Sequence, residues 1–146
     1  MTSEPGSSTI QFAARLRAPV VERLRKRAQQ VPQSQARLAE RYIDEGMRMD
    51  DHPGIVFRDG PLGRRAGLAA GPDVWEVVAA LRHWPERGQR AVAALAHALK
   101  LSEGQLQAGL GYYGDFSGEV DELIERNEEA TERAELAWRR RQSVLE

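Results

Sequence analysis

The sequence predicts a mainly α-helical chain in which one strand leads two helices, followed by a small helical region with a short β-hairpin and then a long C-terminal helix. Three observations carry this expectation. Ile10, Phe12, Ala14 and Leu16 alternate with Gln11, Ala13, Arg15 and Arg17, the period of two that marks a half-buried strand. From Pro19 onward the apolar residues recur at three and four positions, the period of an amphipathic helix. Turn residues then divide the chain into segments, most densely at Asp59-Gly60-Pro61-Leu62-Gly63. The expected boundaries are a flexible arm over residues 1–9, a strand-helix-helix unit over 10–49, a small α domain with a hairpin over 50–118, and an acidic amphipathic helix over 119–146.

The strand over residues 10–17 has nothing near it in sequence to pair with, because helices follow. An unpaired strand leaves its backbone groups open, so the simplest partner is the same strand of a second copy, and the chain is expected to be a homodimer. A two-stranded antiparallel ribbon with Gln and Arg on its outer face fits the major groove of DNA. Pro19 suits the first turn of the first helix. Val20, Val21, Leu24, Ala28 and Val31 form its apolar face, with Glu22, Arg23, Arg25, Lys26 and Arg27 opposite. Pro32 stops it, and Ser34 caps a second helix whose apolar positions are Leu38, Ala39, Tyr42, Ile43 and Met47.

Further on, the apolar run Ile55-Val56-Phe57 and a return strand at Leu68-Ala69-Ala70 form the expected hairpin. Asp73 caps a helix with Val74, Trp75, Val77, Val78, Leu81 and Trp84 inside, broken at Pro85-Glu86-Arg87-Gly88. Another helix runs from about Ala91 to Leu99. Ser102 with Gln105 makes a capping box for the next, which carries Leu106, Leu110 and Tyr113. The pair around Lys100-Leu101-Ser102 looks like a helix-turn-helix.

Charge is unevenly distributed. Residues 1–50 hold nine Lys/Arg against six Asp/Glu, residues 51–116 seven against seven, and residues 117–146 five against nine. A basic front and an acidic back address different partners. The front suits nucleic acid, but so mild an excess implies specific contacts or several dimers side by side on DNA. The chain has no cysteine, which removes disulfides, thiolate catalysis and cysteine-ligated zinc and suits a reducing cytoplasm. No signal-peptide pattern and no membrane-length apolar run are present, so a cytoplasmic protein is expected. His52, His83 and His97 lack metal-ligand spacing, and there is no phosphate-binding Gly-Lys-Ser/Thr, dinucleotide fingerprint or serine elbow. No catalytic residue, metal or cofactor is expected.

Residues 10–49 resemble the ribbon-helix-helix fold of the MetJ/Arc/CopG family. The matching residues are the alternating strand ending in Arg15-Leu16, Pro19 with Val20-Val21-Glu22-Arg23-Leu24, and Ser34 with Leu38-Ala39 and Tyr42-Ile43. The resemblance implies an intertwined dimer whose strands enter the major groove while the start of the second helix holds a phosphate. Its core is then Ile10, Phe12, Ala14, Leu16, Leu24, Leu38, Tyr42 and Ile43. Gln11, Ala13 and Arg15 are the expected base readers, duplicated over a palindromic operator. Arg17 and the N-terminal amides at Ser34 and Gln35 are the expected phosphate contacts. The turn Val31-Pro32-Gln33 departs from the glycine usual there, and Ala13 offers a base only an apolar contact.

The region from His52 to about Ile124 resembles the helix-turn-helix domain attached to some VapB-type antitoxins. The match rests on Pro53-Gly54-Ile55-Val56, Arg58-Asp59-Gly60-Pro61, Arg64-Arg65, Asp73-Val74-Trp75, Leu101-Ser102, Tyr112-Tyr113 and Glu119-Val120-Asp121. This resemblance implies an antitoxin that represses its own operon and neutralises a PIN-type ribonuclease. Leu101 to Glu125 contains no Lys or Arg, so the helix-turn-helix around residues 90–116 favours a structural or subunit-contact role over DNA reading. Gly104, Gly109, Gly111 and Gly114 fit close backbone packing better than a free recognition helix. Arg58, Arg64 and Arg65 on the hairpin remain candidates for DNA contact. In the tail, Leu123, Ile124 and Trp138 are the expected anchors for a protein partner, with Trp138 set among Arg139, Arg140 and Arg141. The alternatives are a free-standing ribbon-helix-helix transcription factor whose second domain joins dimers along DNA, and an interaction module whose ribbon only dimerises.

Overall fold

A computed structural model describes residues 8–145 of the chain. The arm expected over residues 1–9 therefore lies outside the described residues except at 8 and 9. Those described form six α-helices and one two-stranded antiparallel sheet: α1 (Ala18–Gln30), α2 (Gln35–Asp51), β1 (Ile55–Arg58), β2 (Arg65–Leu68), α3 (Val74–His83), α4 (Gln89–Leu99), α5 (Glu103–Asp115) and α6 (Ser117–Leu145). They group into two compact units that divide between Asp44 and Glu45, inside α2 and earlier than the expected boundary after residue 49. Beyond the division, Glu45 and Arg48 are held by side chains of the second unit.

In the first unit, Pro19 sits in the first turn of α1, and Ser34 Oγ accepts a hydrogen bond from the Arg37 N–H at 3.2 Å, capping α2. The strand expected over Ile10–Arg17 is not formed within the single chain: residues 8–17 carry no regular secondary structure. A ladder needs a second strand, and the only sheet among the described residues is β1 with β2.

The second unit has its own core. Ile55, Leu68, Val74, Val77, Leu95, Leu106, Tyr112 and Val120 are buried together, drawn from the hairpin and all four following helices. Trp75, Leu81 and Trp84 pack at its margin rather than inside it. The hairpin pairs Ile55 with Leu68 and Arg58 with Arg65, so the return strand begins earlier than expected and Ala69-Ala70 form a turn. Its register places Ala66 and Leu68 in the core and leaves Gly67 beneath the Arg58 side chain, where a Cβ would fall 1.9 Å from Arg58 Nη2. Ser102 and Gln105 form the expected capping box of α5, at 3.1 and 2.8 Å. Of the α5 glycines only Gly109 is packed closely, with a Cβ position 3.2 Å from Leu68 Cδ2, whereas Gly111 and Gly114 have nothing within 4 Å.

Candidate nucleic-acid interface

In the first unit the local sequence sorts the side chains into an apolar set and a polar set that are both exposed. Ile10 is 91% exposed, Phe12 80%, Leu16 56% and Ile43 54%; Val20, Val21 and Tyr42 are also exposed, and α1 buries no residue at all. Leu24 is half-buried and Ala14 exposed, and Leu38 alone of the eight expected core residues is buried, at 0%. Leu16, Val20, Leu24, Ala39, Tyr42 and Ile43 line an apolar groove of about 440 Å³ between α1 and α2. Arg27 Nε donates to the Tyr42 hydroxyl at 3.4 Å, and this hydrogen bond is the first cause holding that phenol below its ordinary value.

The polar set consists of the expected DNA contacts. Gln11, Ala13, Arg15 and Arg17 are exposed, and the guanidinium groups of Arg15 and Arg17 make no hydrogen bond or ion pair among the described residues. Ser34 and Gln35 are exposed at the α2 N-terminus. The Ser34 hydroxyl is engaged by the Arg37 N–H and its carbonyl by the Leu38 N–H at 2.9 Å, so the unsatisfied groups there are amides.

The arginines of the second unit behave differently. Arg64 grips Glu45 through Nε (2.9 Å) and Nη2 (2.6 Å) and lies 3.4 Å from Asp59. Glu45 is 5% exposed, so this two-pronged contact neutralises a buried carboxylate. Arg65 Nε and Arg58 Nε both meet Asp73, which is 6% exposed, the latter at 3.2 Å. Arg58 Nη2 also donates to the carbonyls of Leu68 (3.1 Å) and Gly71 (2.9 Å). The hairpin arginines offered by the sequence as DNA contacts are thus committed to internal carboxylates and carbonyls.

A second polar cluster was not anticipated. Arg48 lies over the Phe116 ring at 3.9 Å and donates to the Tyr112 hydroxyl (2.8 Å) and Glu119 (2.9 Å). Tyr112 in turn donates to Glu119, and burial first, then that carboxylate, raises its phenol well above the ordinary value. His52 Nε2 stands 2.9 Å from Asp115 and edge-on to Tyr112. On the surface, Arg82 and the Tyr113 hydroxyl (3.0 Å) meet at Asp121, whose carboxyl is lowered chiefly by Arg82. The signal was in the sequence as the pairs Tyr112-Tyr113 and Glu119…Asp121, but nothing in their spacing names the arginine each would meet.

The tail expectation needs correction. Leu123 and Ile124 are 7% and 6% exposed, packed into the second unit, because they continue the apolar face begun by Val120. They are not available to a partner. Trp138 is 55% exposed, as Leu136 (51%), Val144 (84%) and Leu145 (79%) are on the same helix. No group of three or more potential metal ligands occurs among the described residues, and no helix there is long and apolar enough to cross a membrane. Comparison with protein-family models, with curated proteins and with solved structures finds no significant match.

Proposed function

We propose that the chain is a DNA-binding transcriptional repressor that acts as a homodimer joined through residues 10–17, and that it is the antitoxin half of a toxin–antitoxin pair. The observation that carries the dimer is the uncovered apolar surface of the first unit, from Ile10 through Leu16 and Val20 to Tyr42 and Ile43. A contiguous apolar patch on a monomer marks an interaction surface. A second copy supplies the matching segment for residues 8–17, which have no ladder partner among the described residues, and covers both patches at once. The same act sets Gln11, Ala13 and Arg15 on the outward face of a ribbon, with the unpaired guanidinium of Arg15 suited to the two acceptors of guanine. Arg17 and the amides at the start of α2 then take phosphates.

The test is fluorescence anisotropy with a duplex taken from upstream of the gene and a shuffled duplex of equal length. Arg15→Ala removes two base contacts per dimer at about 1–3 kcal/mol each, so affinity for the upstream duplex is expected to fall roughly 30-fold or more. Affinity for the shuffled duplex should change only a few-fold. Equal losses on the two would count against base readout.

The toxin partner is supported by α6, whose exposed Leu136, Trp138, Val144 and Leu145 lie beyond the buried Val120, Leu123 and Ile124. A chain ending after Asn127 keeps those buried residues and should still bind the upstream duplex. It should fail to inhibit the ribonuclease encoded beside the gene, and Trp138→Ala should weaken that inhibition roughly 30-fold or more, as for a central aromatic anchor. Full inhibition by the shortened chain would move the partner surface elsewhere; absence of a neighbouring ribonuclease frame would leave a repressor alone.

A further inference from the structure

Between Arg48 and Arg126 the exposed side of α4 differs from the other basic surfaces of the second unit; beyond them, on α6, Arg140 and Arg141 are also exposed. From Arg48 to Arg126, arginines 48, 58, 64, 65, 82 and 126 each lie within ion-pair distance of a carboxylate. Arg90 and Lys100 do not: both are exposed and make no side-chain contact with an acid or a carbonyl among the described residues. Arg87, just before α4, is tied to the carbonyls of Trp84 and Glu86. Between Glu86 and Glu103 there is no carboxylate at all. Arg90, Ala93 and His97 follow helical spacing on the exposed side of α4 and Lys100 is exposed at its C-cap, while Ala91, Val92, Leu95 and Ala96 fill the core behind.

Lys100 adds an independent observation. It is the one non-glycine residue with positive φ among the described residues (φ 57°, ψ 40°), capping α4 in the left-handed conformation that glycine adopts without strain. A lysine stands where the backbone favours glycine. An outlier of this kind points to a use for the side chain.

We infer that the Arg90–His97–Lys100 face of α4 is a phosphate-backbone contact for duplex DNA, without base reading. The inference rests on the DNA-binding reading above and extends it to the second unit. Charge complementarity selects the occupant. The three side chains span roughly 15 Å of helix axis, a length over which one DNA strand passes several phosphates at about 3.4 Å of rise each. Ala93 between the charged positions lets a backbone approach closely. The arrangement also reverses the expectation for a helix-turn-helix, since α5 carries no Lys or Arg while α4 and its C-cap carry Arg90 and Lys100.

The experiment uses the full chain with Arg90→Gln and Lys100→Gly together. The second change removes a charge while relieving the left-handed strain, so folding is preserved, and thermal unfolding checks it. Binding to the upstream duplex and to its shuffled counterpart is measured over a series of salt concentrations. The double variant is expected to lose affinity for both duplexes by the same factor, about 10-fold at low salt, and the slope of log affinity against log salt should shrink by about 0.9 for each phosphate contact removed. Unchanged affinity and slope in the variant, with the unaltered chain still preferring the upstream duplex, would overturn the α4 contact and leave the repressor reading standing. Equal binding of both duplexes by the unaltered chain, weakened in the variant, would keep the α4 contact and sink sequence-specific readout. Failure of the unaltered chain to bind either duplex would end both. Unchanged DNA binding with lost binding to polyglutamate would reassign the face to an acidic protein.

Discussion

A Phe12→Asp chain should sediment as a monomer, lose the upstream duplex entirely and show reduced helicity, while the second unit keeps its own cooperative unfolding transition. Phe12 is 80% exposed in the single chain, within the apolar segment that the proposed dimer covers. Removing a buried Phe costs about 3–5 kcal/mol, and the two-fold interface contains two of them. A loss of about 6 kcal/mol or more raises the dimer dissociation constant by roughly four powers of ten, before the cost of burying a carboxylate is counted. Two helices that bury almost nothing of α1 do not hold together alone, so dissociation should melt them. The second unit has thirteen buried hydrophobic residues in one cluster and does not depend on this surface. Sedimentation, far-UV circular dichroism and anisotropy read the three consequences separately. A Phe12→Asp chain that remains dimeric with full helicity would show that residues 10–17 are not the junction. Arg15→Ala in parallel should leave sedimentation unchanged, which separates a reading residue from a joining one.

The legible part of this chain was the part written in local terms. Pro19, Ser34, Asp73 and the Ser102/Gln105 pair mark helix starts because each solves a problem of the first turn, and α1, α2, α3 and α5 begin where those residues stand. Helical spacing placed Val74, Val77 and Val78 inside α3, where they are buried, but placed Trp75, Leu81 and Trp84 there too, and these are only partly buried. What the sequence leaves open is pairing across space. Leu123 and Ile124 read equally as a partner surface and as a core face, and only the position of α6 against the rest of its unit decides for the core. Tyr113 has the helical spacing of a core residue, yet Tyr112 is the one fully buried, because its hydroxyl is answered by Arg48 and Glu119. The hairpin arginines read as solvated cations until Glu45 and Asp73, distant in sequence, are brought beneath them. The strand over residues 10–17 is the reverse case: its alternation is plain, but its ladder requires a second strand that the described residues lack.

Asp73→Ala should be the most damaging substitution in the second unit. One carboxylate, 6% exposed, faces both Arg58 and Arg65, and its N–H is accepted by Glu76 at 2.8 Å to open α3. Arg58 is fixed further by two carbonyls and rests on Gly67, so its guanidinium is held over the Asp73 carboxylate although part of it meets solvent. Alanine leaves two partly buried guanidinium groups without their counter-charge. Breaking a buried pair from one side costs about 3–5 kcal/mol. For a unit of this size each kcal/mol corresponds to about 4 °C, so the melting temperature of the second unit should fall by roughly 12–20 °C. Asp73→Asn keeps the shape and one acceptor and should lose less, whereas Glu103→Ala, on the exposed start of α5, should stay within about 0.5 kcal/mol. Calorimetry on the full chain resolves the second unit's transition directly. If Asp73→Ala melts with Glu103→Ala, the Arg58–Asp73–Arg65 cluster is surface decoration and the arginines of the hairpin return to the pool of free cations. The expected order, with Asp73→Ala far below Asp73→Asn, fixes Arg58 and Arg65 as internal ties.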